Sequence, residues 1–369
     1  MYQCGLFKKV LIEVTIFFVL LLPIIAMSQT VTDEELSKAQ EAFNKITTQI
    51  KEKTMQMSQA NENKDLDKYN ILNKEYQTLT KELEKYQNTV QRYMETHREV
   101  TEVKRMYNEG QRLAKLGKFD DALKAYDETI TKGETSKSPA LTATISRAYY
   151  MKGYVLRRQN KTKEAVTFYE KSIQIDPNNS DANFGLGVAN QSMGNGERAI
   201  AEFQKAVLID PLNAQAYFNM GTVYFEKKDF VKAEEMFQKA LLADPNFLKA
   251  QESLGQILVE QQKYAQAIEL LQKAVEPDKK SWKTNYLLAR AHNGVGQPQN
   301  AVVNAENCLK IQKYGGAYIE LGDAYLKLGD KAKAKENYQN GLKDRIWRET
   351  AQYKLKIMEN TDKFVEEKR

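Results

Sequence analysis

The sequence predicts an all-α fold in which a solenoid of paired helices follows a long helical hairpin or coiled coil. Three patterns support this prediction. Asp-Pro pairs at residues 176–177, 210–211 and 244–245 are spaced 34 residues apart. Small residues recur with nearly the same period along the second half of the chain. Residues 32–108 instead lack Gly and Pro and carry apolar side chains in a seven-residue pattern. A fixed period near 34 residues indicates stacked units of two helices each.

Residues 1–28 have the pattern of a secretory signal peptide. Two lysines precede an apolar run, and small residues stand three and one positions before Gln29. Glu13 interrupts the run and leaves 14 uncharged residues at 14–27, fewer than the roughly 20 that span a bilayer. We therefore expect export to the periplasm or cell envelope with cleavage before Gln29. The alternative is an uncleaved inner-membrane anchor at residues 10–27.

Residues 29–102 are predicted to form a coiled coil or helical hairpin. A capping box at Thr32 and Glu35 begins the first helix, and the turn formers NENKD at 61–65 separate it from the second. The apolar seam of the first helix comprises Leu36, Ala39, Phe43, Ile46, Ile50, Met57 and Ala60, with Lys53 as its polar member. The seam of the second helix comprises Tyr69, Leu72, Tyr76, Leu79, Leu83, Tyr86, Val90, Tyr93, His97, Val100 and Tyr107.

Two packings of these helices fit the pattern. The turn at 61–65 allows an antiparallel hairpin within one chain, and the heptads equally allow a parallel homo-oligomer through residues 29–108. Bulky tyrosines would crowd the seam of a narrow parallel dimer. The hairpin is therefore favoured, and the oligomer stays open.

Small residues define the repeat that follows. They stand at Gly110, Gly153, Gly187, Gly221, Gly255, Ala289 and Gly322. A second small residue follows each of them by twelve positions, at Ala122, Ala165, Ala199, Ala233, Ala267, Ala301 and Ala334. Each unit thus carries two helices, and the small pair is expected to let them cross closely.

This pattern resembles the tetratricopeptide repeat family. The family's succession of large, small and aromatic residues ending in proline is present as Leu186-Gly187, Ala199, Phe203, Ala206 and Pro211, and again as Tyr217, Met220-Gly221, Tyr224, Ala233, Phe237, Ala240 and Pro245. Seven units cover residues 103–345 and start near 103, 146, 180, 214, 248, 282 and 315. The sixth unit departs from the pattern, because Ala305 replaces the aromatic residue. The resemblance implies a right-handed helical-hairpin solenoid.

Residues 346–369 are predicted to form a C-terminal capping helix and tail. A solenoid needs a cap with a polar outer side, since each unit buries its faces only against its neighbours. One helical stripe amid charged residues suits that role and comprises Ile346, Trp347, Ala351, Leu355 and Met358. We interpret Trp347 as a packing anchor.

The resemblance also implies a concave groove for peptides or partner helices, lined by the first helix of each unit. Counted from each unit start, the candidate groove positions 2, 5, 9 and 12 include Arg147, Tyr150, Tyr154, Arg157, Phe184, Phe218, Phe225, Tyr286 and Arg290. An aromatic floor flanked by arginines is typical of a binding hot spot. Each aromatic residue could equally pack between adjacent helices. The Lys and Asn arrangement by which some relatives clamp a C-terminal carboxylate is not visible.

Catalysis and nucleic-acid binding find no support in the sequence. The net charge of +6 comes from 55 basic and 49 acidic residues, without a nucleic-acid-binding signature. With two histidines and no phosphate, dinucleotide or metal motif, neither a cofactor nor a metal site is expected. We expect a non-enzymatic scaffold of the cell envelope that binds protein or peptide partners, with membrane contact only through an uncleaved N-terminus.

Two alternatives remain for the function. One is a membrane-anchored adaptor of a secretion, motility or surface-polysaccharide assembly. The other rests on the order of leader, coiled coil and repeats, which is similar to that of Tol-associated coordinators of wall synthesis and outer-membrane constriction.

Overall fold

The computed structural model describes residues 34–275 and 281–366. Within these ranges the chain folds into sixteen α-helices and one short 3₁₀ turn, without strands, so the predicted all-α class is confirmed. Two compact units are present. The hairpin unit contains the described residues up to 105 together with 135–138, and the solenoid unit contains 106–134 and those from 139 onward. The predicted leader (1–28) and anchor (10–27) lie outside the described residues.

The hairpin unit is built from α1 (Glu34–Glu62) and the first part of α2 (Leu66–Lys115). Phe43, Ile46 and Ile50 of α1 pack against Leu83 of α2 in one buried cluster. The polar seam position Lys53 forms an ion pair of 2.6 Å with Glu75 of α2. The two helices therefore form the antiparallel hairpin that the sequence favours, and self-association through this region stays a prediction.

The helix α2 continues without a break through the boundary predicted after residue 102. Its last turns form the first helix pair with α3 (Phe119–Ser136). A 3₁₀ turn at Pro139–Leu141 then precedes α4, which agrees with a lengthened first helix in the second unit.

The next six helix pairs follow the predicted repeat. Pairs two to four are α4 (Thr142–Arg158) with α5 (Thr162–Ile175), α6 (Ser180–Ser192) with α7 (Gly196–Ile209), and α8 (Ala214–Glu226) with α9 (Phe230–Ala243). Pairs five to seven are α10 (Leu248–Glu260) with α11 (Tyr264–Val275), α12 (Trp282–Gly294) with α13 (Pro298–Ile311), and α14 (Gly315–Lys327) with α15 (Lys331–Gly341). The helix α16 (Arg348–Glu366) follows the seventh pair.

The recurring Asp-Pro motif ends the second helix of a pair. The amide of Asp210 donates to the carbonyl of Ala206, which is the last helical hydrogen bond of α7. The Asp210 carboxylate then accepts from the amide of Leu212 at 3.1 Å, and Asp176 and Asp244 make the same bond two residues ahead. Because the following proline has no amide hydrogen, the helix cannot continue. The motif therefore ends the second helix of pairs two, three and four.

The glycines make room for a large side chain of the second helix. A Cβ atom added at Gly221 would lie 2.6 Å from ring atoms of Phe237, which stands sixteen residues later and is 1% exposed. Gly110 faces Tyr126, Gly153 faces Tyr169, Gly187 faces Phe203, Gly255 faces Leu271 and Gly322 faces Tyr338 in the same way. The expected contact of each small residue with the alanine twelve positions later is therefore not the closest one.

In the sixth pair both of these positions are alanine. Ala289 takes the glycine position, and Ala305 takes the position of the ring, so both are small and fully buried in one cluster with Leu321. The departure of this unit from the family pattern is thus a compensated change.

Each pair reverses direction through one residue in the left-handed conformation. Glycine occupies this position in four pairs, whereas Asn160, Lys228 and Gln262 occupy it in pairs two, four and five with φ near +60°. A non-glycine residue in this conformation is disfavoured by about 1 kcal/mol. The repeat frame is strong enough to impose the turn on these side chains.

Candidate functional site

The residues predicted to line the groove lie at positions 2, 5, 9 and 12 of the first helices, and we call this surface the first-helix face. At position 5, Tyr150, Phe184 and Phe218 are each half-buried. Each contacts a ring of its own second helix: Tyr150 with Tyr169 at 5.9 Å between centroids, Phe184 with Phe203 at 5.7 Å and Phe218 with Phe237 at 5.6 Å. The position-5 rings therefore stabilise the pair and keep only part of their surface for a partner.

The fourth pair has a larger aromatic surface than the sequence indicated. Phe225 contacts Phe230 edge to face at 5.4 Å, and Phe230 is 44% exposed. Phe218 also contacts Phe247 at 5.1 Å. Phe230 and Phe247 were missed because they lie at the start of a second helix and at the junction between pairs, outside the positions counted. The repeat frame itself could have identified both.

In pair two, Tyr150, Tyr154 and Arg157 come together. The guanidinium carbon of Arg157 lies 5.7 Å from the centroid of the Tyr154 ring, a distance that allows a cation–π interaction. Burial raises the pKa of Tyr150, and the nearby Asp181 raises it further. Arg147 is exposed on the same helix and lies close enough to Tyr107 to act on its pKa.

Tyr286 and Arg290 differ from the expectation that they offer free binding groups. Tyr286 is only 6% exposed and contacts Tyr314 at 4.9 Å and Trp347 at 6.2 Å. Arg290 donates two hydrogen bonds, of 2.7 and 3.1 Å, to the carboxylate of Glu260. Burial lowers the pKa of Arg290, but the hydrogen bonds and charge of Glu260 outweigh it and the pKa lies above its ordinary value. The cause of the difference is packing, since Trp347 from the segment before α16 covers Tyr286.

Glu320 is a further unusual group that sequence reasoning missed. Burial raises the pKa of its carboxyl group to about 7, against the lowering effect of a hydrogen bond from Asn293, while Asp323 raises it. The Asn293 amide nitrogen lies 2.8 Å from both the backbone carbonyl and a carboxylate oxygen of Glu320. The Lys327 ammonium group donates to the carbonyl oxygen of Asn293 instead of to Glu320. No sequence signal marks this carboxyl group, because its environment comes from two different helix pairs.

The other titratable candidates have packing roles. His292 is 4% exposed, and its Nδ1 lies 2.9 Å from the side-chain oxygen of Gln297, with burial lowering its pKa. Cys308 is fully buried, and burial raises the pKa of its thiol to about 11. In the described part of the chain, no three His, Cys, Asp or Glu side chains are grouped so as to hold a metal ion. A search for membrane-spanning helices among the same residues finds none that is long and apolar enough.

Family models match the repeats directly. The tetratricopeptide repeat model matches residues 214–247, and related models of the same repeat match 153–194, 192–228, 248–280 and 315–343. No curated protein matches the chain in sequence.

Solved structures with helical repeats resemble the chain in fold. YrrB, described as a tetratricopeptide repeat protein with an unusual peptide-binding site, is 23% identical with a TM-score of 0.46, over 50% of this chain and 97% of its own. The pilF protein of Pseudomonas aeruginosa is 19% identical with a TM-score of 0.49, over 57% of this chain and 98% of its own. A tetratricopeptide repeat protein from Parabacteroides merdae is 16% identical with a TM-score of 0.45, over 69% of this chain and 97% of its own. At these identities the three structures are similar to this chain in fold only.

The helix pairs follow the same repeat along the chain as the contacts between glycines and second helices. The family-model matches follow that repeat as well. Repeats of this kind typically form non-catalytic scaffolds for protein interaction. The chain belongs to the tetratricopeptide repeat family, which its sequence matches at residues 153–280 and 315–343.

Proposed function

We propose that this protein is a non-enzymatic scaffold that binds a peptide or helix of a partner protein on the first-helix face of pairs two to four. The main supporting observation is the aromatic surface there. Tyr154 and Phe225 are half-buried, and the neighbouring Phe230 is 44% exposed. Partly exposed aromatic residues are the side chains that most often dominate binding energies at protein interfaces. Among the described residues, Arg147 and Arg157 of pair two have no carboxylate within ion-pair distance, so they add positive charge beside the rings.

The repeats also explain why such a surface suits extended or helical segments. Equivalent side chains recur from pair to pair, so a partner meets similar groups at regular intervals along the solenoid unit. Apolar side chains of the partner would pack on the rings, and its acidic side chains would meet Arg147 and Arg157. Neither a nucleic acid nor a cofactor is part of this proposal.

The direct test removes two half-buried rings, of which Phe225 also packs against a buried core cluster. Tyr154→Ala combined with Phe225→Ala is expected to weaken binding of a peptide at least about thirtyfold, since hot-spot truncations cost about 2 kcal/mol or more. Phe218 is left in place because it packs on the buried Phe237. The probe is a peptide selected from a random library against the full-length protein, and calorimetry measures its affinity.

The matched control is Glu235→Ala on α9, an exposed residue whose ion pair joins only its neighbour Lys239 on the same helix. This variant is expected to bind the peptide with unchanged affinity. If the double aromatic variant also keeps full affinity, the first-helix face is not the binding surface. The tyrosine-rich helix α2 then becomes the next candidate.

We further propose that the scaffold acts in the cell envelope after export by residues 1–28. The support is the leader pattern alone, with small residues three and one positions before Gln29. Sequencing the mature protein from its native cells is expected to give Gln29 as the N-terminus. An intact N-terminus on a protein that needs detergent for extraction would contradict this and favour the membrane-anchored adaptor.

A further inference from the structure

The carboxyl group of Glu320 lies where pair seven meets pair six. Glu320 belongs to α14, and Asn293 belongs to the last turn of α12. The Asn293 amide nitrogen donates at 2.8 Å both to the backbone carbonyl of Glu320 and to one of its carboxyl oxygens. Lys327, further along α14, donates to the backbone carbonyl of Asn293. Two side chains of α14 therefore hold the C-terminal end of α12.

The cations around Glu320 bind other acids. Among the described residues, no Lys or Arg nitrogen lies within ion-pair distance of its carboxyl group. Arg290 and Lys354 are close enough to lower its pKa. Arg290, however, donates two hydrogen bonds to Glu260. Lys354 donates to Asp323 at 2.8 Å. An ionised Glu320 would therefore add a third negative charge beside two acids that already bind these cations.

Pair seven and α16 share one hydrophobic cluster. Ile319 of α14 and Tyr338 of α15 pack in it with Ala351 of α16. The hydroxyl of Tyr338 and the ammonium group of Lys354 both bind the Asp323 carboxylate, which adds a polar link among the same three helices. A movement that carries α14 away from α12 would therefore carry α15 and α16 with it.

We propose that the carboxyl group of Glu320 is a protonation-controlled latch, which holds pair seven and α16 against pair six when it is protonated and lets them open when it is ionised. The neutral group accepts the hydrogen bond from Asn293 and needs no cation. The ionised group needs water or a cation, and it gains water only if α14 moves away from the end of α12. The latch is a property of this chain alone, so it does not depend on the proposed binding of a partner.

The direction of the effect follows from the pKa of this group. Burial is the main cause that raises the pKa of Glu320 to about 7, while the hydrogen bond from Asn293 opposes the rise and the charge of Asp323 adds to it. In the open form, the hydrated group returns toward its ordinary value of 4.5. The closed form therefore loses stability as pH rises from 4.5 through 7 and changes little above that range. With these values, the equilibrium constant for opening rises about tenfold between about pH 6 and about pH 8.

Other titratable groups near this boundary do not give the same response. Burial lowers the pKa of His292, so its protonation would favour opening toward acid pH, which is the opposite direction. Burial raises the pKa of Tyr286 and Tyr338 above their ordinary value of 10.0, beyond the range of the experiment. Burial also raises the pKa of Cys308 on α13 to about 11. An opening that increases toward pH 8 therefore points to Glu320.

Hydrogen exchange measured by mass spectrometry on the full-length protein tests the latch. Exchange is followed at about pH 6 and about pH 8, and each rate is corrected for the intrinsic pH dependence of amide exchange. Peptides from residues 315–358 are expected to show an opening constant about tenfold larger at the higher pH. Peptides from residues 180–243, in pairs three and four, should change by less than about twofold.

Variants connect the response to one carboxyl group. Glu320→Gln cannot ionise and keeps an acceptor for Asn293, so its opening constant is expected to change by less than about twofold between the two pH values. The matched control Glu336→Gln makes the same replacement at an exposed position of α15 and is expected to keep the full change. The proposal is overturned if the opening constant of the natural protein does not depend on pH, or if Glu320→Gln keeps the full change. An equal change in residues 180–243 would also overturn it, because ionisation would then act on the unfolding of the whole solenoid unit and not on a local latch.

Discussion

Gly221→Leu is expected to lower the free energy of unfolding by about 2–4 kcal/mol, because the new side chain has no space. A Cβ atom alone would lie 2.6 Å from the ring of Phe237, and that ring is only 1% exposed. Either the two helices of the fourth pair separate or the ring leaves its pocket. Urea unfolding followed by circular dichroism measures the loss.

The control is Gln215→Leu, which adds the same side chain at an exposed position of the same helix. It is expected to change the free energy of unfolding by less than about 0.5 kcal/mol. An unchanged midpoint for Gly221→Leu would show that the ring contact does not limit the helix crossing.

The sixth pair suggests a second arm of this experiment. Gly221→Ala with Phe237→Ala recreates the combination of Ala289 and Ala305. Each single change is expected to be destabilising, by clash or by cavity, but the clash disappears when the ring is gone. The double variant should therefore be less destabilised than the sum of the two by at least about 1 kcal/mol. If the free-energy changes of the two single variants simply add in the double variant, the two positions do not compensate for each other as Ala289 and Ala305 are inferred to do in the sixth pair.

Glu320→Gln is expected to stabilise the protein by about 1–3 kcal/mol at neutral and higher pH. The carboxyl pKa is about 7 in the folded protein, above its ordinary value of 4.5. Below pH 4.5 the Glu320 carboxyl group is protonated in both the folded and the unfolded state, so it costs no stability there. As pH rises from 4.5 through 7, the unfolded state ionises more readily than the folded one, and the folded state loses stability. Glutamine stays neutral and keeps an acceptor for Asn293.

Urea unfolding at about pH 4 and about pH 8 tests the expected pH dependence of this stabilisation. The gain of Glu320→Gln over the natural protein should be present at the higher pH and absent at the lower one. Glu235→Gln, at an exposed site paired with Lys239, should show little gain at either. A gain of equal size at both pH values would mean that charge burial is not its cause.

The repeat frame made most of the fold predictable. The starts of the first helices at 180, 214, 248, 282 and 315 agree with the positions counted from the sequence, because the Asp-Pro motif ends pairs two to four and the small residues recur in every pair. The contact of each glycine with a large side chain of the second helix was harder to predict, since the pattern shows that both positions recur but not that they touch. The alanine at position 305 departs from the family pattern in the sequence. Its packing with Ala289 and Leu321 explains the departure.

Prediction was weaker wherever distant segments meet. The burial of Tyr286 depends on Trp347, which lies two helix pairs further along the chain. The pairing of Arg290 depends on Glu260 of the preceding pair. Position within the repeat predicts which face a side chain is on, but its free surface and charge depend on neighbours that the repeat does not specify.

The match of glycine to ring, and of alanine to alanine in the sixth pair, constrains how such a protein can be rearranged during evolution. A recombination that joined α8 to α13 would set Gly221 opposite Ala305 and leave a void, whereas one that joined α12 to α9 would drive Phe237 against Ala289. Crossovers that join a helix of the sixth pair to a helix of a glycine–ring pair are therefore penalised in either direction. Crossovers at the Asp-Pro junctions keep each complementary pair intact, so whole pairs are the units that duplication and exchange can transmit.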